Sequence, residues 1–197
     1  MTRLHLHRAA DYPRMPWKNG AGSTLEIARD RGEGLDGFGW RLSIADIGES
    51  GGFSSFSGYQ RVITVLEGEG MRLRVDDVPS RPLLPLDPFA FAGDSRVECQ
   101  LLGGAIRDFN LIYAPRRYAA RLQWLGLERP QRLFACAPTL LLFAAGEALR
   151  VRVAGADGAT LGRYDCLQIE HDQDLLELEL EADSPGACCL IELSPGA

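Results

Sequence analysis

The run Met15-Pro16-Trp17-Lys18-Asn19-Gly20-Ala21-Gly22-Ser23-Thr24-Leu25-Glu26-Ile27 gathers more chemistry than any other stretch of this chain. Trp17 offers a large flat wall, Lys18 a mobile cation with three donors, and Asn19 a group that both donates and accepts. Gly20 and Gly22 allow positive φ and the close approach of another group. Beyond the turn, Thr24, Glu26 and Ala28 alternate with Leu25 and Ile27, the period of a strand with one polar face. A polar-faced strand leaving a glycine-rich turn suits a barrel mouth that receives a small ligand. The same residues also fit a plain surface turn in which Trp17 is half-buried and Glu26 faces water.

Other residues could share that chemistry. Arg61 and Lys18 are the candidates for holding an anion, one as a planar fork that grips a carboxylate and one as a point charge. Arg41 is a third cation, and its alternation with Trp40 leaves its facing open. Asn19, Thr24, Ser43 and Ser54 can hydrogen-bond a carbonyl, amide or formyl group. Trp17 and Phe56 can form apolar walls, and Glu26 and Asp108 can take a donor or balance the cations. A plainer arrangement stays open, with Arg61 paired to Glu26 or Asp108 inside the fold and with Asp108 and Asn110 serving turns or strand pairing.

The elements that position these residues read as strands throughout. Arg41 and Ser43 oppose Leu42 and Ile44; Arg72 and Arg74 oppose Met71, Leu73 and Val75; Asp108 and Asn110 oppose Phe109, Leu111 and Tyr113. The same alternation returns at 97–101, 149–153 and 176–181, with turns about every ten residues, as in a sandwich or barrel. No long amphipathic helix interrupts it. Gly68-Glu69-Gly70-Met71-Arg72-Leu73-Arg74-Val75 echoes Gly146-Glu147-Ala148-Leu149-Arg150-Val151-Arg152-Val153 at an offset of 78 residues. At that offset Asp87-x-Phe89-x-Phe91 also falls on Asp165-x-Leu167-x-Ile169, which points to a duplicated jelly-roll unit.

Bulk composition narrows the function. The 197 residues are 46% hydrophobic and 24% charged, ordinary for a globular protein. A net charge of -6, with no basic cluster longer than Arg116-Arg117, argues against a nucleic-acid partner. The N-terminus lacks the apolar run of a signal peptide. The longest uncharged apolar stretch, Leu133 to Gly146, holds 14 residues and Pro138, too short to span a bilayer. Cys99, Cys136, Cys166, Cys188 and Cys189 are odd in number and lack CxxC spacing, so they read as small buried apolar residues of a reducing, cytoplasmic protein. The run Leu140-Leu141-Leu142-Phe143 reads as core or as a dimer face, and a sheet edge offers a second surface for a homodimer.

The stretch Pro16-Trp17-Lys18-Asn19-Gly20-x-Gly22-x-Thr24-x-Glu26-Ile27 resembles the N-terminal signature of the HutD/Ves family, small proteins related to cupins. The resemblance continues through Trp40-Arg41-Leu42-Ser43-Ile44-Ala45, Gly52-Phe53-Ser54-x-Phe56-x-Gly58 and Arg61. It extends to Leu66-Glu67-Gly68-Glu69-Gly70 and Asp108-Phe109-Asn110, with the last third similar in length and strand rhythm. It implies an all-β bicupin of two packed jelly-roll β-barrels. Residues 1–115 would carry the ligand pocket, and 116–197 would form a degenerate second barrel to which the N-terminal strand crosses over. Many cupins hold a metal through His-x-His and Glu, yet Gly52–Gly68 offers Ser, Phe, Gly, Gln and Arg there, and Arg61 would repel a cation. His5-Leu6-His7 is the one His-x-His, without a nearby carboxylate, and His171 reads as an exposed turn residue. The expectation is a site without metal or cofactor.

The resemblance further implies a regulator of bacterial histidine utilisation that binds a small acidic intermediate, formylglutamate being the favoured candidate. Two other readings stay open. Lys18 could serve as nucleophile or base in a metal-independent enzyme acting on a small carboxylate or formylated amino acid, with Glu26 or Asp108 carrying the proton. Alternatively, the barrel edges could make the contacts of a protein-interaction module.

Overall fold

Alternating sequence becomes antiparallel sheet almost throughout the computed structural model, which describes the chain except residues 18–21, 33–36, 155, 173 and 197. Among the described residues the one helical segment is a 3-10 turn, Ala9–Asp11. The strands begin with β1 (Arg3–His7), β2 (Arg14–Pro16), β3 (Gly22–Arg29), β4 (Trp40–Ile47), β5 (Gly51–Gly52) and β6 (Gln60–Glu67). Then come β7 (Met71–Val75), β8 (Val78–Pro79), β9 (Phe89–Ala92), β10 (Val97–Leu101), β11 (Ile106–Tyr113) and β12 (Tyr118–Gly126). The chain continues through β13 (Gln131–Ala135), β14 (Thr139–Ala144), β15 (Leu149–Val153), β16 (Ala156–Leu161), β17 (Cys166–Glu170), β18 (Leu176–Ala182) and β19 (Ala187–Pro195).

Two units result. Pro13–Tyr118 contains a six-stranded sheet, β2-β3-β4-β11-β6-β9, and a four-stranded sheet, β5-β10-β7-β8. Met1–Tyr12 with Ala119–Ala197 contains a five-stranded sheet, β1-β17-β14-β19-β12, and a four-stranded sheet, β13-β18-β15-β16. None of the four sheets closes on itself, so the barrels expected from the sequence are replaced by open sheets packed face to face. In the 13–118 unit, Ala45, Ile63 and Val65 of the larger sheet share one core with Met71, Leu73, Val97 and Cys99 of the smaller. In the other unit Leu140, Leu142, Leu167, Ile169 and Leu190 meet Leu149, Val151, Leu176, Leu178 and Leu180.

The sequence echo has a topological counterpart. A shift of 78 residues carries Met71–Val75 onto Leu149–Val153, which are β7 and β15. The order β5-β10-β7-β8 is repeated as β13-β18-β15-β16, and β4-β11-β6-β9 as β12-β19-β14-β17. Strands β2 and β3 are extra, added beyond β4, and they carry the Thr24–Glu26 segment to that sheet. Local chemistry explains individual turns. Asp76 and Asp77, at φ 47° and 68°, form the two-residue connection between β7 and β8, and acidic residues tolerate this left-handed geometry better than most.

Some expectations need correction. His171 is buried, its backbone N–H donating to the Pro138 carbonyl at 3.0 Å, because the turn folds back onto that segment. Four cysteines are buried, but Cys136 is exposed, just past the end of edge strand β13. Leu140, Leu141, Leu142 and Phe143 are all fully buried. His5 and His7 lie on the edge strand β1, where the His7 ring meets Gln168 at 3.1 Å. No helix among the described residues is long and apolar enough to cross a membrane.

Leu73 is fully buried at the centre of the 13–118 core, so truncating it leaves a cavity. Leu73→Ala is expected to lower the unfolding free energy by about 2–5 kcal/mol, read as a lower urea midpoint at unchanged slope.

Candidate functional site

Antiparallel register puts the polar residues of the six-stranded sheet onto one face, because directly paired residues point the same way. Phe91, Arg61, Ile112, Arg41 and Arg29 form one row across β9, β6, β11, β4 and β3. The next row runs Phe89, Ile63, Asn110, Ser43 and Glu26, and a third holds Val65, Asp108, Ala45 and Thr24. Ile63, Val65 and Ala45 belong to the core shared with the smaller sheet, so this face looks into the sandwich. Arg41, Ser43, Arg61, Asp108 and Asn110 are accordingly buried.

Arg61 is the centre of the group. Its side chain is 6% exposed, yet among the described residues it forms no ion pair. One Nη donates to the Ser54 carbonyl at 3.1 Å and the other to Asn110 Oδ1 at 2.9 Å, while Nε is buried without a partner. Three rings surround it, with the guanidinium carbon 5.0 Å from the Phe91 centroid, 5.4 Å from Phe56 and 5.5 Å from Phe53. Burial lowers the Arg61 pKa to about 10, with Asp108 pulling it up and Arg41 pushing it down.

Asn110 is oriented by its second bond. Its Nδ2 donates to Asp108 Oδ1 at 2.7 Å, which turns its oxygen toward Arg61. Asp108 is 1% exposed, and its Oδ2 is buried without a hydrogen-bond partner. Burial raises the Asp108 carboxyl to about 7, against the charge of Arg61 and the bond from Asn110. Glu26 behaves oppositely. Burial would raise it, but Arg29 and Arg41 together outweigh burial and hold it below the usual carboxylate range. Arg29 Nε reaches Glu26 Oε1 at 2.7 Å, its Nη2 bonds Oε2, and Arg41 Nε reaches Oε2 at 2.7 Å.

The sequence-derived site residues fall into three sets. Glu26, Arg41, Ser43, Arg61, Asp108 and Asn110 share the inner face, with Thr24 at its margin. There Trp17 Nε1 donates to Thr24 Oγ1 at 2.9 Å. Phe56 covers Arg61, whereas Ser54 contributes its backbone carbonyl and leaves its own side chain exposed. Lys18, Asn19 and Gly20 lie outside the described residues. Gly22 is required by close approach, since a Cβ there would meet the Asp46 carbonyl at 2.3 Å and the Trp17 ring at 3.1 Å.

Arg29, Phe53 and Phe91 were missed. A β-bulge between Glu26 and Ala28 shifts the register, so Arg29 instead of Ala28 shares the face of Glu26. The signal for it was the adjacent apolar pair Ile27-Ala28, which breaks strict alternation. The loop that carries Phe53 and Phe56 is clamped on Gly93, whose carbonyl accepts the Phe56 N–H at 2.8 Å and the Ser55 hydroxyl at 3.1 Å. A Cβ at Gly93 would lie 2.3 Å from the Phe56 carbonyl, so only glycine allows this approach.

A cavity of about 530 Å³ lies at the opposite end of β4, β6 and β11, lined by Ser23, Asp46, Glu67 and Arg107. Asp46 there is held by Arg107 at 2.7 Å and Arg14 at 2.8 Å. Those side chains are mutually paired, whereas Arg61 Nε and Asp108 Oδ2 are buried without a hydrogen-bond partner among the described residues. Among the described residues no group of three His, Cys, Asp or Glu side chains could hold a metal.

The architecture is that of the pirin-like all-β proteins. A bacterial pirin from Escherichia coli, solved in complex with nickel(II), matches with a TM-score of 0.70 over 99% of this chain and 100% of that one. At 11% identity this is a likeness of fold alone. The chain belongs to the HutD family, whose model matches residues 9–190. An uncharacterized 21.2 kDa protein of the hutC 3' region of Pseudomonas putida is 65% identical over 193 residues, 98% of each chain. HutD from Pseudomonas fluorescens, solved in a formate condition, is 57% identical with a TM-score of 0.86, over 99% of this chain and 100% of that one.

Asp108 keeps its proton to about 7 in the fold and to about 4 in the unfolded chain, so the native state holds the extra proton between those values. The stability it confers is complete below about pH 4 and is lost as pH rises through about 7. Asp108→Asn removes that loss. The unfolding free energy of the variant relative to wild type should therefore move in the variant's favour from about pH 5 to about pH 8, measured by urea denaturation. A difference that stays flat across that interval would contradict the assignment.

Proposed function

We propose that this protein binds a small acidic metabolite of histidine utilisation through Arg61 and acts as a regulator of that pathway, N-formylglutamate being the leading ligand. The observation that carries the reading is a guanidinium buried among three phenylalanines that has, among the described residues, no carboxylate partner and no partner for its Nε. A buried unpaired charge is costly, and a ligand carboxylate supplies the missing partner in the geometry that arginine grips best. Arg41 is already committed to Glu26, which leaves Arg61 as the anchor. Ser43, between Asn110 and Glu26 in the register, offers a hydroxyl to a formyl or amide group. Lys18 adds a second cation in this reading.

The pathway assignment leans on the relatives, named HutD and placed beside hutC. A binding role, as opposed to catalysis, follows from the donor set. A guanidinium, an amide and aromatic walls hold an anion well, and neither Ser43 nor Asp108 is hydrogen-bonded, among the described residues, to a base or nucleophile that would activate a reaction. The cationic centre also favours an anion over a metal ion. The repeated strand order supports reading the two units as a pair of jelly rolls, of which 13–118 carries the ligand.

Calorimetric titration of N-formylglutamate into wild type, Arg61→Ala and Lys18→Ala tests the proposal. Saturable binding without turnover is expected in the wild type. Removing one partner of a buried charge pair costs about 2–5 kcal/mol, so Arg61→Ala should weaken binding by about 30-fold or more while retaining its circular dichroism spectrum. Equal affinity in Arg61→Ala, or consumption of the ligand, would overturn it.

A further inference from the structure

Arg61 and Asp108 are joined through a single side chain. Asn110 accepts from Arg61 at 2.9 Å and donates to Asp108 at 2.7 Å, and all three are buried in adjacent rows of one face. Asp108 has a second oxygen, Oδ2, buried and without a partner. The groups that act on it are few. Arg61 comes from β6, Asp46 from β4, and Asn110 from its own strand; Cys99 of β10 is a thiol whose ionisation burial and Asp108 itself oppose. Val65 and Ala45, the paired neighbours of Asp108 on either side, are apolar. Arg61 is therefore the cation that balances an ionised Asp108, and Asp46 works against it.

We propose that a carboxylate docking on Arg61 is accompanied by protonation of Asp108, so that the site takes up an acid and a proton together. This rests on the anion-binding reading of Arg61. A bound carboxylate neutralises Arg61, the cation among the described residues that favours ionised Asp108, and adds a second negative charge to the same water-poor face. Both changes disfavour the Asp108 anion. The proton adds to Asp108, whose Oδ2 is unoccupied by any hydrogen bond and whose Oδ1 keeps the bond from Asn110. Asn110 therefore holds its orientation toward Arg61 in both protonation states. By linkage, whatever proton uptake accompanies the ligand appears as a loss of ligand affinity at higher pH.

The test uses the intact protein and N-formylglutamate as probe, titrated calorimetrically at about pH 8 in phosphate and in Tris, buffers of very different ionisation enthalpy. The dependence of the apparent enthalpy on buffer gives the number of protons taken up. Wild type should take up a measurable fraction of a proton per ligand at about pH 8, and clearly less at about pH 6, where Asp108 already holds its proton. Affinity should fall by up to about tenfold per pH unit above neutrality. Asp108→Asn should bind with no uptake and a flat profile. Binding that needs Arg61 but draws no proton in wild type, or draws the same proton in Asp108→Asn, would overturn the coupling and leave the anion site standing. Should Asp108→Asn not fold, the buffer pair on wild type alone decides. Binding indifferent to Arg61→Ala, or no binding at all, would instead refute the site on which the coupling rests.

Discussion

A guanidinium taken out of water, with no carboxylate to meet it among the described residues, is the constraint around which the 13–118 unit is arranged. Desolvation of such a charge is expensive, and it is tolerated only where other groups replace the lost hydration. Here the replacement is partial: one backbone carbonyl, one side-chain amide and three aromatic faces. Cation–π contacts of this kind contribute about 0.5–2 kcal/mol each, less than a carboxylate would. In the proposed function an anion from outside makes up that deficit. Each supporting element has a place in that arrangement. Strand β9 brings Phe91, the loop clamped on Gly93 brings Phe53 and Phe56, and β11 brings Asn110 with Asp108 behind it.

Two carboxylates on the same face have opposite fates. Glu26 meets two guanidiniums and stays ionised, while Asp108 meets one at second hand and is pushed toward neutrality. Environment alone separates them, as happens wherever paired acids are given different tasks. Glu26 thereby fixes Arg41 and Arg29 in place, while Arg61, among the described residues, forms no ion pair. The strand that supplies both Glu26 and Arg29, β3, is one that the repeated strand order lacks in the other unit. The added hairpin brings Glu26 and Arg29 to a face whose other polar residues, Arg41, Ser43, Arg61, Asp108 and Asn110, lie on strands of the repeated order.

The strands were legible because period-two alternation is a direct consequence of the pleat, and the pairs Arg72/Leu73 and Arg150/Val151 show it plainly. Arg61, Glu26, Asp108 and Asn110 were legible as polar residues facing one way. What alternation could not say was whether that way led to water or into the sandwich, since Arg41 and Arg72 look alike in sequence. Arg41 is 3% exposed and Arg72 is exposed to solvent. The partner of Glu26 also lay beyond reach, because a bulge at Ile27 changes which residue faces inward. Ser54 entered through its hydroxyl in the sequence reading and through its carbonyl in the structure, a distinction that side-chain types never encode. Barrel closure was overread, since jelly-roll rhythm fits two open facing sheets equally well.

The most direct measurement is the ¹H–¹⁵N resonance of Arg61 Nε, assigned by its absence in Arg61→Lys and followed while N-formylglutamate is added. A slowly exchanging Nε–H that moves strongly downfield as the ligand carboxylate accepts from it is the expected result. A ligand that saturates the protein while that resonance stays where it was would contradict the claim that Arg61 is the anion's anchor.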